Sequence, residues 1–319
     1  MGSKYNYKKS LIIKTTSGNG EDKMDLDKML SEQKKSQPII PKAMTQQDYL
    51  NRTKMFGIID LDYSSTFVFG PPKIGKTWCY MSAIDKTYKR GGKTYLISTD
   101  AGASETFKAY FKERTVEVSQ SIMFYALSDL NEMYAVCKDI RDGIFNSKLP
   151  NEKSKDLIVI DLVSSFYEMA QAKFIDDCSG GDPVNFIIKA SHDRAKFGMF
   201  EGKIWQYVKK IEQYLRQQLI VPPICDVFAI ATEKDIDIEK KMSKAVVHKF
   251  DVTGAKPGGS KELPYDFNIM VYINEINNKR YFQILGCRGV DVNAYDKHDY
   301  GINFIEDLNK ALEKYKSPP

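Results

Sequence analysis

With 319 residues the chain is too long for a lone mini-domain, and it suits one large α/β domain or two modest ones. Hydrophobic residues make up 42% and charged residues 28%, ordinary globular usage that excludes wholesale disorder. Lys and Arg total 47 against 42 Asp and Glu, so the net charge of +5 permits a polyanionic partner without demanding one. No run of about 18 apolar residues is present, which argues against a membrane span. The start, Met1 to Tyr7, is polar and shows no apolar signal segment, so a cytoplasmic protein is expected. Cys79, Cys137, Cys178, Cys225 and Cys287 are widely spaced, odd in number and form no CxxC. Reduced, mostly buried thiols are expected rather than a disulfide framework or a zinc site.

Residues 1–55 read as a polar, partly disordered arm. The first fifty hold nine Lys and six acids, with apolar clusters only at Leu11-Ile12-Ile13 and Pro38-Ile39-Ile40-Pro41. One short helix is expected near Met24 to Leu30. Residues 56–319 read as a single domain in which apolar runs alternate with helical patterns, the signature of a parallel sheet. Thr66 to Phe69 predicts a strand, Lys76 to Lys89 a helix, Thr94 to Ser98 a second strand and Ile122 to Ala126 a third. Ser128 is the expected cap of a helix whose apolar stripe is Leu130, Met133, Tyr134, Cys137, Ile140 and Ile144. Leu157 to Ile160 is a fourth strand, β-branched and continuous, as a strand buried on both faces should be. Ile204, Val208, Ile211, Leu215 and Leu219 line one helix face, which Pro222-Pro223 ends. Val227 to Ala231 is a fifth strand. Phe267 to Glu275 and Tyr281 to Leu285 flank Asn277-Asn278-Lys279 as a hairpin. Asp307 to Tyr315 closes the chain as a helix.

Gly70-Pro71-Pro72-Lys73-Ile74-Gly75-Lys76-Thr77 fits GxxxxGK[ST] at every fixed position, between a predicted strand and a predicted helix. Successive backbone N–H groups and a helix N-terminus there form a cradle for a nucleotide's β-phosphate, and Trp78 continues the loop into the helix. The glycines let the backbone approach phosphate without a Cβ in the way. Lys76 can reach the β- and γ-phosphates of ATP, and the Thr77 hydroxyl can ligate Mg²⁺. Asp161 ends the fourth strand, at the ligand-binding rim of an open α/β sheet, where a carboxylate can hold the same Mg²⁺. Hydrolysis also needs a carboxylate that orients water. Asp100, after the second strand, is one candidate, with a helix N-cap as its other reading; Glu105 is the runner-up. Thr232 ends the fifth strand, where it can sense a γ-phosphate or simply terminate the strand.

In this order the pieces resemble the RecA-like ATPase core, from about Phe67 to Arg288. Gly70-Pro71 is similar to the opening of the RecA-type loop. Gly92 to Asp100 is similar to the family's second strand, which an acid, usually Glu, terminates. Leu157 to Ser165 resembles its Walker B strand, and Gly258-Gly259-Ser260-Lys261-Glu262-Leu263 resembles the segment after its second DNA-binding loop. Within that family the chain resembles the phage and archaeal RecA-like ATPases that anneal single strands. The resemblance implies an α/β fold with a mainly parallel sheet and a C-terminal β-hairpin, ring or filament assembly, ATP sites shared between subunits, and single-stranded DNA in a central channel. It also implies a cation reaching the γ-phosphate from a neighbour. Arg288 occupies the place of the Arg in a K-x-R pattern whose Lys is Gly286 here, and Lys261 is the other candidate.

Two segments are candidates for touching DNA. Residues 233–261 hold seven Lys and five acids, with His248 and Phe250 between; residues 172–203 hold four Lys, Arg194 and five acids, with Phe186, Phe197 and Phe200. Cations serve phosphates and aromatic rings serve sequence-tolerant stacking, yet neither segment is strongly basic. A partner-driven motor or loader, recruiting protein through the arm, and a nucleotide-binding scaffold with little turnover stay open beside the DNA-acting ATPase. A small-molecule phosphotransferase fits less well, since no Arg-rich lid follows the P-loop.

Overall fold

A computed structural model describes residues 63–99, 102–127, 129–147, 153–180, 194–221, 223–236 and 250–316, with 182, 184, 185 and 188 between. All belong to the compact unit Pro41–Pro319. The arm and the helix expected near Met24 lie outside the described residues, as do Asp100, Ser128, Phe186 and His248.

In chain order, β1 (Ser65–Gly70) leads to α1 (Lys76–Lys89), β2 (Thr94–Ser98), α2 (Ala103–Phe111), α3 (Thr115–Ser119) and β3 (Ile122–Ala126). Then come α4 (Leu130–Ser147), β4 (Leu157–Asp161), α5 (Ser164–Ser179), α6 (Arg194–Leu219) and β5 (Asp226–Asp235). A short β6 (Ala255–Pro257), the pair β7 (Ile269–Ile276) and β8 (Lys279–Cys287), a two-residue β9 (His298–Asp299) and α7 (Phe304–Lys316) complete the unit. The sheet runs β3-β2-β4-β5-β1-β7-β8-β9, with β6 paired to β5. Every pairing from β3 across to β7 is parallel; β7–β8, β8–β9 and β5–β6 are antiparallel.

The apolar runs form central strands because both faces are covered. On β1, Phe67 and Phe69 face the core built with α4, α5 and α6, while Val68 between them faces the core built with α1 and α7. The same alternation places Ile158 and Ile160 of β4 on the first side and Val159 on the second. Period-two alternation with two apolar faces requires helices on both sides, and α1 and α7 close the side opposite α4–α6. β3 is the edge of the sheet: Met123 and Phe124 are exposed, which a short apolar run does not reveal by itself.

The hairpin appears where expected. Asn277 and Asn278 have φ of 53° and 60°, the left-handed pair that a two-residue turn matching strand twist demands. The cap of α4 is Asp129: its Oδ1 accepts from the Asn131 and Glu132 amides at 2.6 and 3.0 Å. All five cysteines are free thiols, and four are buried. Among the described residues no helix is long and apolar enough to cross a membrane.

Candidate functional site

β1 lies between β5 and β7, but the chain leaving it through α1 enters β2, beyond β5 and β4. Such a step over intervening strands opens a crevice at the C-terminal edge of the sheet. The P-loop sits there. Gly70 ends β1, opposite Thr232 of β5, and Asp161 ends β4, opposite Ile230. Three strands thus bring residues 70, 161 and 232 to one rim.

The loop's shape comes from close packing. A Cβ on Gly70 would stand 2.3 Å from the Ile273 carbonyl oxygen of β7, so the neighbouring strand by itself calls for glycine here. Lys73 and Gly75 take positive φ of 61° and 101°. Ile74 is buried and anchors the loop in the core beneath it. Tyr300 donates its hydroxyl to the Gly75 carbonyl at 2.8 Å, and the Cys79 thiol donates to that hydroxyl at 3.1 Å. Trp78 donates Nε1 to the Ile302 carbonyl at 3.2 Å and stands edge-on to Tyr110. The segment before α7 therefore buttresses the loop from below.

Lys76 is 9% exposed, and its Nζ donates to the carbonyls of Gly70 and Pro71 at 2.8 and 2.6 Å. Burial pushes its pKa down, while the charges of Glu233 and then Asp161 oppose that shift. A cleft of about 510 Å³ opens over the loop. Pro72, Lys73, Gly75, Lys76, Thr77 and Trp78 supply one wall. Gly102 just before α2, Thr106 of α2, Asp161 of β4 and Leu162 after it, Thr232 and Glu233 of β5 and Arg280 of β8 are among the rest. Among the described residues its charged groups are three cations, Lys73, Lys76 and Arg280, against Asp161 and Glu233, a balance that favours a polyanion.

Asp161 is 2% exposed, and the wholly buried Tyr80 of α1 donates its hydroxyl to Oδ2 at 2.8 Å. That bond aims the carboxylate across the cleft. Thr232 stands with its Oγ1 3.4 Å from the Ser164 hydroxyl of α5, and its carbonyl accepts from the Gly258 amide at 2.7 Å. Thr77 and Asp161 together present a hydroxyl and a carboxylate to one space, hard oxygen donors of the kind Mg²⁺ takes. Among the described residues no group of three or more His, Cys, Asp or Glu gathers as a metal site.

Glu105 lies exposed on α2 and does not line the cleft, although Gly102 and Thr106 flank it. Arg288, at the far end of β8 from Arg280, donates Nη2 to the Tyr265 carbonyl at 2.8 Å. Lys261 lines a different groove. Neither of these two cations lines the cleft over the P-loop of its own chain. Sequence reasoning missed Tyr80, Glu233, Arg280 and Tyr300. Glu233 adjoins Thr232 and was open to detection; the others had no local signal.

A larger groove of about 750 Å³ lies between α5, α6 and residues 256–265. Lys209, Lys234, Lys256 and Lys261 line it with Tyr167 and Tyr265. Arg216 also borders it, but is held by Asp266 and, at 3.7 Å, by Glu262. Phe250, expected among the rings that meet DNA, borders this groove but is only 5% exposed, its ring edge-on to Phe69 in the core at 5.9 Å between centroids. A ring that buries this much apolar area gains more from the core than from solvent.

Fold and site together define an α/β protein with a P-loop motif at the rim of a mainly parallel sheet, helices on both faces and a hairpin at its C-terminal end. No family model and no curated protein matches the chain. Among solved structures, a crystal structure of the RadB recombinase is similar over 75% of this chain and 88% of that one, with 14% identity and a TM-score of 0.42.

Proposed function

We propose that the chain binds and hydrolyses ATP with Mg²⁺, and that it acts on single-stranded DNA as a ring or filament, in annealing, recombination or repair. The observation that carries the reading is the single cleft in which Lys76, Thr77, Asp161 and Thr232 meet over a complete P-loop. The P-loop amides and the N-terminus of α1 would hold the β-phosphate, and Lys76 would exchange its two carbonyl partners for phosphate oxygens. Thr77 and Asp161 would hold Mg²⁺, which supplies charge neutralisation at the β- and γ-phosphates. Thr232, which lines the same cleft, would border the γ-phosphate.

The groove beside α5 and α6 supports the nucleic-acid part. Four lysines for phosphates and two tyrosines for stacking suit a single strand bound without regard to sequence. β5 links the two places, since Glu233 lines the cleft and its neighbour Lys234 the groove. Kinship with the phage and archaeal annealing ATPases, residues 56–319 as one ATPase domain, cytoplasmic location, cations reaching across subunits from Arg288 or Lys261, water orientation by a carboxylate, for which Asp100 is the candidate read from the sequence, and partner recruitment through residues 1–55 belong to the same reading.

The deciding measurement is ATP hydrolysis with and without single-stranded DNA at low and moderate salt. Stimulation by DNA that fades with salt supports the reading. Hydrolysis indifferent to DNA points to a partner-driven motor, and ATP binding without turnover points to a nucleotide-binding scaffold.

A further inference from the structure

Of the described residues lining the P-loop cleft, two are carboxylates: Asp161, which Tyr80 aims and which suits the metal, and Glu233 on the neighbouring strand β5. Glu233 sits on a strand rather than a loop. β5 continues past the rim, where β6 pairs with it and sets Glu233 opposite Pro257. Thr232 pairs with Gly70, so Glu233 stands one residue beyond the start of the P-loop. Tyr272 of β7 donates its hydroxyl to Glu233 Oε2 at 3.2 Å, reaching over from the far side of β1. A carboxylate held by its own strand and by a second one has the preorganisation that water orientation requires.

We propose that Glu233 is the catalytic carboxylate, orienting the attacking water and accepting its proton; this rests on the hydrolytic reading above. The water oxygen forms a bond to the γ-phosphorus, and one water proton passes to a Glu233 carboxylate oxygen. The bond between the γ-phosphorus and the β–γ bridging oxygen breaks, with its electron pair leaving on ADP. Glu233 then returns the proton to bulk water. Lys76, in the field of Glu233 while no nucleotide is bound, turns to the phosphates when one arrives. Tyr272 is a positioning residue that keeps Glu233 facing the cleft.

The test compares the full-length protein with E233Q, Y272F and D100N, each with and without single-stranded DNA. Glutamine keeps an acceptor for Tyr272 and nearly the same shape, but it is not a base. E233Q should bind a fluorescent ATP analogue within about threefold of the parent, keep its melting temperature and lose about 10²- to 10⁴-fold in kcat. Y272F should lose about three- to tenfold in kcat with unchanged nucleotide affinity. Turnover by E233Q within about twofold of the parent overturns the assignment, as does a loss of turnover confined to D100N. Loss of nucleotide binding in E233Q also overturns it, because Glu233 would then be a binding residue. A parent protein that binds ATP and never turns it over removes the hydrolytic reading itself, and the assignment with it.

Discussion

Replacing Lys76 with methionine should abolish the stabilisation that ATP confers while leaving the ligand-free fold nearly as stable as before. Methionine matches the length of the lysine stem and suits a position only 9% exposed. The substitution removes two hydrogen bonds, to the Gly70 and Pro71 carbonyls, and also removes a cation whose pKa burial pushes down. These effects oppose each other, so the ligand-free protein should change by no more than about 1 kcal/mol. Nucleotide binding has no such compensation. A hydrogen bond from an ammonium to a phosphate is worth about 1.5–3 kcal/mol, or about 10- to 150-fold in Kd. ATP at a hundred times the parent's Kd stabilises the parent by about 2.7 kcal/mol; after a hundredfold loss of affinity the same ATP gives about 0.4 kcal/mol. For a domain of this size that is a rise in Tm of about 5–10 °C in the parent against about 1–2 °C in the variant. The assay is thermal unfolding with ATP and Mg²⁺ at that concentration. An undiminished ATP-dependent shift in the Lys76→Met protein would refute the placement of phosphate on this loop.

Other substitutions probe the frame around the site. Gly70→Ala should cost about 1–3 kcal/mol of ligand-free stability, because its Cβ would strike the Ile273 carbonyl; a urea midpoint equal to the parent's would contradict this. Alanine at Lys209, Lys234 and Lys256 together should flatten the dependence of log K for single-stranded DNA on log salt. The slope should fall by about 0.7 for each DNA phosphate that a lysine no longer neutralises, with ATP affinity intact; an unchanged slope removes the groove as the binding face. Burial raises the Cys79 thiol from 9.0 to about 12. The folded protein therefore holds that proton more tightly than the unfolded chain does. Its contribution to stability is full below pH 9 and is lost as pH rises toward 12. Urea midpoints between about pH 8 and 11 should fall less steeply in Cys79→Ala than in the parent, and equal slopes would show that this thiol does not titrate on unfolding.

The P-loop, the strand ending in Asp161, the hairpin at Asn277-Asn278 and the apolar stripes of α4 and α6 were all legible in the sequence. Each is a local pattern: a fixed spacing, a period of two or of 3.6, a pair of residues that tolerate positive φ. Local chemistry determined them because the residues that cooperate lie within a few positions of one another. Other features depended on where distant segments met. Only the strand order decided that β5 lies between β1 and β4, and so that Glu233 shares a cleft with Lys76. The antiparallel return of β8 carried Arg280 to the same cleft and Arg288 to the strand's other end, though both stood in one strand-like run. α1 turned Tyr80 under the sheet to meet Asp161, and packing took Phe250 from an expected DNA loop into the core. Sequence specified the chemistry that one turn or one strand can hold; the crossovers of the chain decided which of those groups came within reach of each other, because long-range proximity is set by the burial of two opposite sheet faces rather than by neighbours in sequence.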